Sequence, residues 1–159
     1  MLHYPIGSSG QTIILTDEVL QHFARYRQRF PHQKEAGGQL FARFSATEIH
    51  IIEATGPRKT DRRGRTFYHP DRRLEQVEID VRYELGLHYI GDWHTHPTKY
   101  PQASDTDVSN IGKSVTRSQH QLNAFVLVIV GTAKPPAGLY VAVNNGGENV
   151  RLTPLIDSL

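Results

Sequence analysis

The residues best suited to do chemistry stand close together between Gly91 and Asp107, in the stretch Gly-Asp-Trp-His-Thr-His-Pro-Thr-Lys-Tyr-Pro-Gln-Ala-Ser-Asp-Thr-Asp. His94 and His96 follow the apolar residues Leu87, Tyr89 and Ile90. If that run is a strand, side chains two apart leave the same face, so the two imidazoles form a two-nitrogen clamp. Pro97 stops the strand, and Ser104 to Asp107 reads as the first turn of a helix continuing through Val108, Ile111 and Val115. Residues three apart are neighbours on a helix, which sets Ser104 beside Asp107. The short loop between lets the Asp107 carboxylate fold back over the two rings. Two neutral imidazoles and one carboxylate are the ligand set of a catalytic zinc ion, whose fourth tetrahedral position is left to water.

Each part also has a second explanation. Ser-x-x-Asp ahead of an apolar helix is a capping pattern, and a His-x-His pair alone also occurs in cores and on surfaces. Four fixed positions match by chance about once in a thousand chains of this length, so the conjunction favours a metal. Capping and ligation are compatible, because the cap would help to aim Asp107.

His94-Thr95-His96-Pro97, with Ser104 and Asp107 at this spacing, resembles the JAMM motif of the JAB/MPN (Mov34) family of zinc metallopeptidases. That family also carries a glutamate far upstream at a strand entry, and Glu35-Ala36-Gly37-Gly38-Gln39-Leu40-Phe41 fits the place. The resemblance runs from about Ile13 to Val143. Its local sequence is similar to bacterial stand-alone JAB proteins, such as the deconjugating peptidases of CBASS antiphage operons. It implies one zinc ion per chain on His94, His96 and Asp107, Glu35 as general base, and Ser104 as a donor to the oxyanion. The implied reaction is hydrolysis of an amide or isopeptide bond after the C-terminal tail of a ubiquitin-like or otherwise conjugated protein. The tail would lie along a sheet edge, and in an antiphage operon the conjugate would be a nucleotidyltransferase joined to its target. Glu53, which also ends an apolar strand, is the rival for the base, and the family pattern decides for Glu35. Two other readings stand beside this one: a zinc hydrolase of small molecules or nucleic acid, and a non-catalytic MPN scaffold.

The elements that must position these residues follow from composition and period. At 159 residues the chain is expected to form one domain over 1–159, with loose termini at 1–10 and 154–159. Hydrophobic residues at 38% and charged ones at 21% suit a soluble globular protein. The absence of cysteine excludes disulfides and thiolate metal sites. The N-terminus lacks a basic region followed by an apolar core, so no signal peptide is expected. The longest apolar run, Ala124 to Val130, is too short to span a membrane. A cytoplasmic protein without a membrane partner is the expectation. A net charge of +2 is too small for broad phosphate binding, so no nucleic-acid partner is expected.

Thr12 to Leu15 reads as a strand, and Thr16-Asp17 opens a helix at Glu18 that Pro31 ends. Gly37-Gly38 permits a close backbone approach before a strand over Gln39 to Phe44, which turns through Ser45 to Thr47 into Glu48 to Glu53. Gly56 to Arg65 is basic and without period, so it reads as a long loop, and its arginines are candidates to face substrate. Phe67 to His69 is a short strand. Asp71 caps a helix marked by Leu74, Val77, Ile79, Val81, Tyr83 and Leu85 and stopped by Gly86. His88 to Trp93 delivers the clamp, with Trp93 on the opposite face as core. The helix from Ser104 reaches about Arg117, and 118–122 connects it to a central strand over Ala124 to Val130. Leu139 to Val143 returns as a hairpin, and Val150 to Leu152 follows a second turn. Asp92 and Asp105 flank the clamp as outer-shell or solvated acids, and the remaining histidines read as exposed or structural. The fold class is α/β (α+β): a curved mixed β-sheet flanked by about three helices.

Overall fold

A computed structural model describes residues 1–117 and 123–156. Among them the chain runs β1 (Leu2–Pro5), β2 (Thr12–Leu15), α1 (Asp17–Tyr26), β3 (Gly37–Phe44), β4 (Glu48–Ala54), β5 (Arg62–Arg63), β6 (Tyr68–His69), α2 (Arg72–Glu84), β7 (His88–Thr95), α3 (Asp105–Arg117), β8 (Phe125–Val130), β9 (Leu139–Asn144) and β10 (Asn149–Arg151). Eight strands form one mixed sheet in the order β1-β2-β4-β3-β7-β8-β9-β10, and β5 pairs with β6 in a separate hairpin. The sheet is parallel at β2/β4 and β7/β8 and antiparallel elsewhere. Register shifts on both sides of β3, at Leu40/Phe41 and Phe41/Ala42, are bulges of the kind that bend a strand and curl a sheet. This is the α+β architecture expected, with three helices.

Alternation along the central strands sorts the molecule into two layers. Leu40, Ala42, Ile51, Trp93, Val126, Val128 and Val141 pack against Val19 and Phe23 of α1 in the larger core. On the other face Phe125, Leu127, Ile129 and Tyr140 pack against Ile111 and Val115 of α3. All six residues of β8 are buried, as expected of a β-branched run covered on both sides. α2 lies over β7 and β3, and the space between α2 and α3 opens above β7. Asp71 caps α2 by accepting from the amides of Arg73 and Leu74.

Four expectations need correction. The first residues are not loose: Leu2 to Pro5 pair antiparallel with Thr12 to Leu15, and Tyr4 is buried in the core. The start of the tail is also held, because Leu152 is buried and the Leu155 amide donates to the His3 carbonyl at 2.8 Å. α1 stops at Tyr26, well short of Pro31, where Arg27 turns extended and the buried Gln28 side chain bonds to Arg65 and Thr95 instead. The loop over 56–65 contains β5 and is thereby closed into a hairpin with β6. The expected connection over 118–122, His120 within it, and residues 157–159 lie outside the described residues.

Candidate metal centre

β7 runs between β3 and β8, and its pleat sends Trp93 into the α1 core while Asp92, His94 and the following His96 face the space between α2 and α3. Trp93 is fixed by an indole N–H bond to the Thr55 carbonyl at 2.9 Å and by the rings of Phe23, His22 and Tyr26. α3 enters the same space by its first turn. There Ser104 and Asp107 form a reciprocal cap: the Ser104 amide donates to Asp107 Oδ2 at 2.9 Å, and the Asp107 amide donates to Ser104 Oγ at 3.1 Å. Capping therefore is real, and it turns the Asp107 carboxylate toward β7.

The three side chains meet. His94 Nε2 lies 3.1 Å from Asp107 Oδ1, His96 Nε2 lies 3.4 Å from Asp107 Oδ2, and the two Nε2 atoms are 3.2 Å apart. Four ligands at about 2.0–2.1 Å around a tetrahedral ion stand about 3.3 Å from one another; the Nε2–Nε2 spacing matches one such edge, and each nitrogen stands about as far from its own oxygen of Asp107. The donor chemistry agrees. Two imidazole nitrogens and a carboxylate converging on one point are all lone-pair donors once the rings are neutral, and a divalent cation satisfies all three together. Among the described residues this is the one group of three or more such side chains able to hold a metal ion. Although burial works against its charge, hydrogen bonds from His94 and His96 hold the Asp107 carboxyl well below the usual carboxylate range. The bond to Asp107 outweighs burial at His96 and raises its pKa.

Glu35, on the segment just before β3, lines the same cleft with Ser104 and the three candidate ligands. Burial raises its pKa against the opposing pull of His94 and His96, and Asp107 raises it further. Glu53 is not in the cleft lining; its carboxylate accepts from Arg82 Nε at 2.6 Å on α2. The cleft holds about 440 Å³ and is walled by Thr66 to Pro70 on one side and by Asn110, Ile111 and Ser114 of α3 on the other. Asp92 is no solvated turn residue. It accepts from the Tyr89 hydroxyl at 2.9 Å on the cleft floor, near Glu75, and burial raises the pKa of both carboxyls. Asp105 stays exposed in the first turn of α3.

The basic loop is divided: Arg58 and Arg63 turn inward, while Lys59, Arg62 and Arg65 stay exposed. Arg58 is buried and bonds to Glu78 through Nε at 2.5 Å, to Asp61 and to the Tyr68 hydroxyl. Arg63 donates from Nε to the Glu35 carbonyl at 2.6 Å. Those two arginines serve the interior, because the chain brings their acceptors to them from α2 and from the entry to β3. It is the neutral end of the loop, Thr66 to Pro70, that borders the cleft. His69 belongs to this wall. His22, by contrast, is structural: its Nε2 sits 2.7 Å from the Gly56 carbonyl and burial lowers its pKa.

Gly37 and Gly38 show why small residues precede the clamp's partner strand. A Cβ at Gly38 would stand 1.7 Å from the Thr55 carbonyl oxygen, and one at Gly37 would meet the Tyr68 ring at 2.7 Å. Thr95 and Gln28 were not singled out by sequence reasoning, since a buried threonine between two histidines and a glutamine after a helix carry no local signal.

The family model of prokaryotic homologs of the JAB domain matches residues 16–144. A protein of Enterobacter hormaechei subsp. hoffmannii named CD-NTase/cGAS isopeptidase is 32% identical over 67% of this chain and 59% of its own length. A probable metalloprotease of Sinorhizobium fredii is 37% identical over 54% of both chains. The match thus spans less than two thirds of either relative. A solution structure from Desulfitobacterium hafniense has the same fold, with a TM-score of 0.62 and 18% identity over 87% of this chain and 88% of that one. No described helix is long and apolar enough to cross a membrane.

Proposed function

The chain belongs to the family of prokaryotic homologs of the JAB domain, and from that premise we propose that it is a zinc-dependent peptidase of protein tails. Its reaction would be hydrolysis of the amide or isopeptide bond that joins the C-terminal residue of a protein to an amine. The observation that carries this reading is the convergence of His94, His96 and Asp107 beside Glu35 and Ser104 in one cleft. A JAMM-type assignment, one zinc per chain, accounts for why the donor set contains only imidazole and carboxylate.

His94, His96 and Asp107 would hold the zinc ion. When bound, it supplies Lewis acidity, lowering the pKa of a coordinated water to about 7 and polarising the scissile carbonyl. Glu35 takes the proton from the attacking water as its oxygen bonds to the carbonyl carbon. The raised pKa of Glu35 suits this, because a base must hold the proton long enough to return it. As the C–N bond breaks, Glu35 passes the same proton to the leaving amine. Ser104 uses its oxygen lone pair for the Asp107 amide and retains its hydroxyl proton to donate to the oxyanion, a bond worth about 3 kcal/mol at such sites. Thr66 to Pro70 wall the cleft, and β6 among them offers an extended edge for a tail to lie against.

The substrate proposed is a CD-NTase-type nucleotidyltransferase conjugated through its C-terminus, after the activity named for the Enterobacter relative. A nucleic-acid hydrolase is disfavoured because the net charge is only +2 and Arg58 and Arg63 bond within the fold, which leaves Lys59, Arg62 and Arg65 as the loop's exposed cations. A scaffold role is disfavoured because the whole ligand set is retained. The test is a CD-NTase joined at its C-terminal residue to a reporter protein, incubated with purified enzyme and with variants. Scission after that residue, one zinc per chain, loss of zinc in His94→Ala/His96→Ala, and a zinc-replete but inactive Glu35→Gln are expected. Zinc retained by the double histidine variant, or activity surviving Glu35→Gln, would sink the assignment.

A further inference from the structure

Glu35 precedes β3, so it lies outside the sheet ladder and its backbone needs other partners. It has two. Its amide donates to the Gly64 carbonyl at 2.8 Å, and its carbonyl accepts from Arg63 Nε at 2.6 Å. The next residue is held from the opposite side: the Ala36 amide donates to Thr95 Oγ1 at 3.0 Å, and the Ala36 carbonyl accepts the Thr95 amide at 2.8 Å. Thr95 Oγ1 in turn donates to Gln28 Oε1 at 2.7 Å, and Gln28 Nε2 donates to the Arg65 carbonyl at 3.0 Å. The chain of bonds closes on itself. It passes from Glu35 through the β5 loop and Gln28 to the residue between the two histidines, then back through Ala36.

We propose that Arg63 is a positioning residue for Glu35, gripping its peptide carbonyl so that the carboxyl stays aimed into the cleft beside the histidine pair. This rests on the reading of Glu35 as the base. The bond from the Ala36 amide to Thr95 Oγ1 holds one edge of the planar peptide unit that joins Glu35 to Ala36, and Arg63 holds the opposite edge through the Glu35 carbonyl. With both edges held, the unit resists rotation, and Arg is suited to the second grip because its Nε–H is directional and always protonated. A displacement of about 1 Å at a reacting group costs on the order of a hundredfold in rate.

The experiment compares Arg63→Ala, Arg63→Lys and Glu35→Gln with the parent protein. Three readings are taken: amide hydrogen exchange by NMR, zinc content, and kcat and KM on the reporter-tagged CD-NTase. Arg63→Ala is expected to speed exchange of the Glu35 amide at least about tenfold while the amides of β8 stay protected. Zinc content and KM should hold, with kcat falling about 10- to 100-fold. Arg63→Lys, able to offer one donor, should recover part of both losses. Unchanged exchange at Glu35, a loss carried by KM or zinc, or no recovery by lysine would overturn the positioning role. Turnover abolished by Glu35→Gln but untouched by Arg63→Ala overturns it alone. Turnover surviving Glu35→Gln removes the base assignment and the proposal together.

Discussion

The two helices that cover the strands on either side of β3 and β7 do so by opposite means. α1 buries Val19 and Phe23 against an apolar sheet face that includes Trp93, Leu40 and Ile51. α2 turns Glu75, Glu78 and Arg82 toward the sheet. There Glu78 meets Arg58, Arg82 pairs with Glu53 and lies over the Phe41 ring, and Glu75 reaches the cleft floor. Most of its apolar residues face away, with Val77 50%, Val81 52% and the C-cap Leu85 63% exposed, and Ile79 half-buried. Apolar burial is non-directional and supplies stability, whereas a network of charged hydrogen bonds fixes orientation at little net gain. The α1 face therefore holds β7 in place from behind. The α2 face sets the hairpin and cleft wall in front of it.

The largest effect should come from the α1 side. Phe23→Ala leaves a cavity in the main core and should cost about 3–5 kcal/mol in urea unfolding, while the folded fraction still binds zinc. A loss below about 1 kcal/mol would mean that the α1 face is not the main support. On the α2 side, Glu78→Leu takes the carboxylate from Arg58 Nε and Nη2, leaving that guanidinium to Asp61 and Tyr68 through Nη1, and should cost about 3 kcal/mol. The double variant Arg58→Met/Glu78→Leu should be less destabilised than the sum of the two single variants, because their mutual bond is lost only once, while Asp61 keeps the Tyr68 hydroxyl and the Arg58 and Asp71 amides. Additive losses in that double-mutant cycle would contradict the network reading.

This contrast explains what was legible beforehand. β8 was readable because seven apolar residues in succession need cover on both faces, and the clamp because the strand period and the helix period each place their polar pair on one side. The interior roles of Arg58 and Arg63 were not legible. Their acceptors, Glu78 and the Glu35 carbonyl, lie 20 and 28 residues away in sequence, and no local pattern marks them. The apolar period in Leu74 to Leu85 identified a helix but could not tell which side would meet the sheet. That choice was made by the long-range charges. Leu2 to Pro5 escaped notice for a related reason: four residues carry too little period, and the strand exists because β2 offers it an edge.

The network's cost has a pH signature. Burial, with the nearby Asp92, raises the Glu75 pKa from 4.5 to about 7, so the fold prefers its neutral form. Stability from this group is fully present below pH 4.5 and is lost as pH rises through about 7. Relative to Glu75→Gln, the parent protein should lose on the order of 2 kcal/mol across that window, measured as urea-unfolding free energy against pH. Parallel curves for the two proteins would mean that Glu75 titrates normally and that the cleft floor is wetter than its packing indicates.

The smallest effect is the sharpest test of which way α2 faces. Val77 and Val81 are half exposed in the chain taken alone, so Val77→Ser and Val81→Ser should each change stability by no more than about 0.5 kcal/mol, as exposed positions do. The same substitution at Val19 of α1, which is fully buried, leaves an unpaired hydroxyl in the core and should cost several times more. The two sets, on α1 and on α2, differ in whether their side of the helix meets the sheet. If Val77→Ser were as damaging as Val19→Ser, the outward stripe would be a buried one, and the charged inner face with its grip on the hairpin could not be as described.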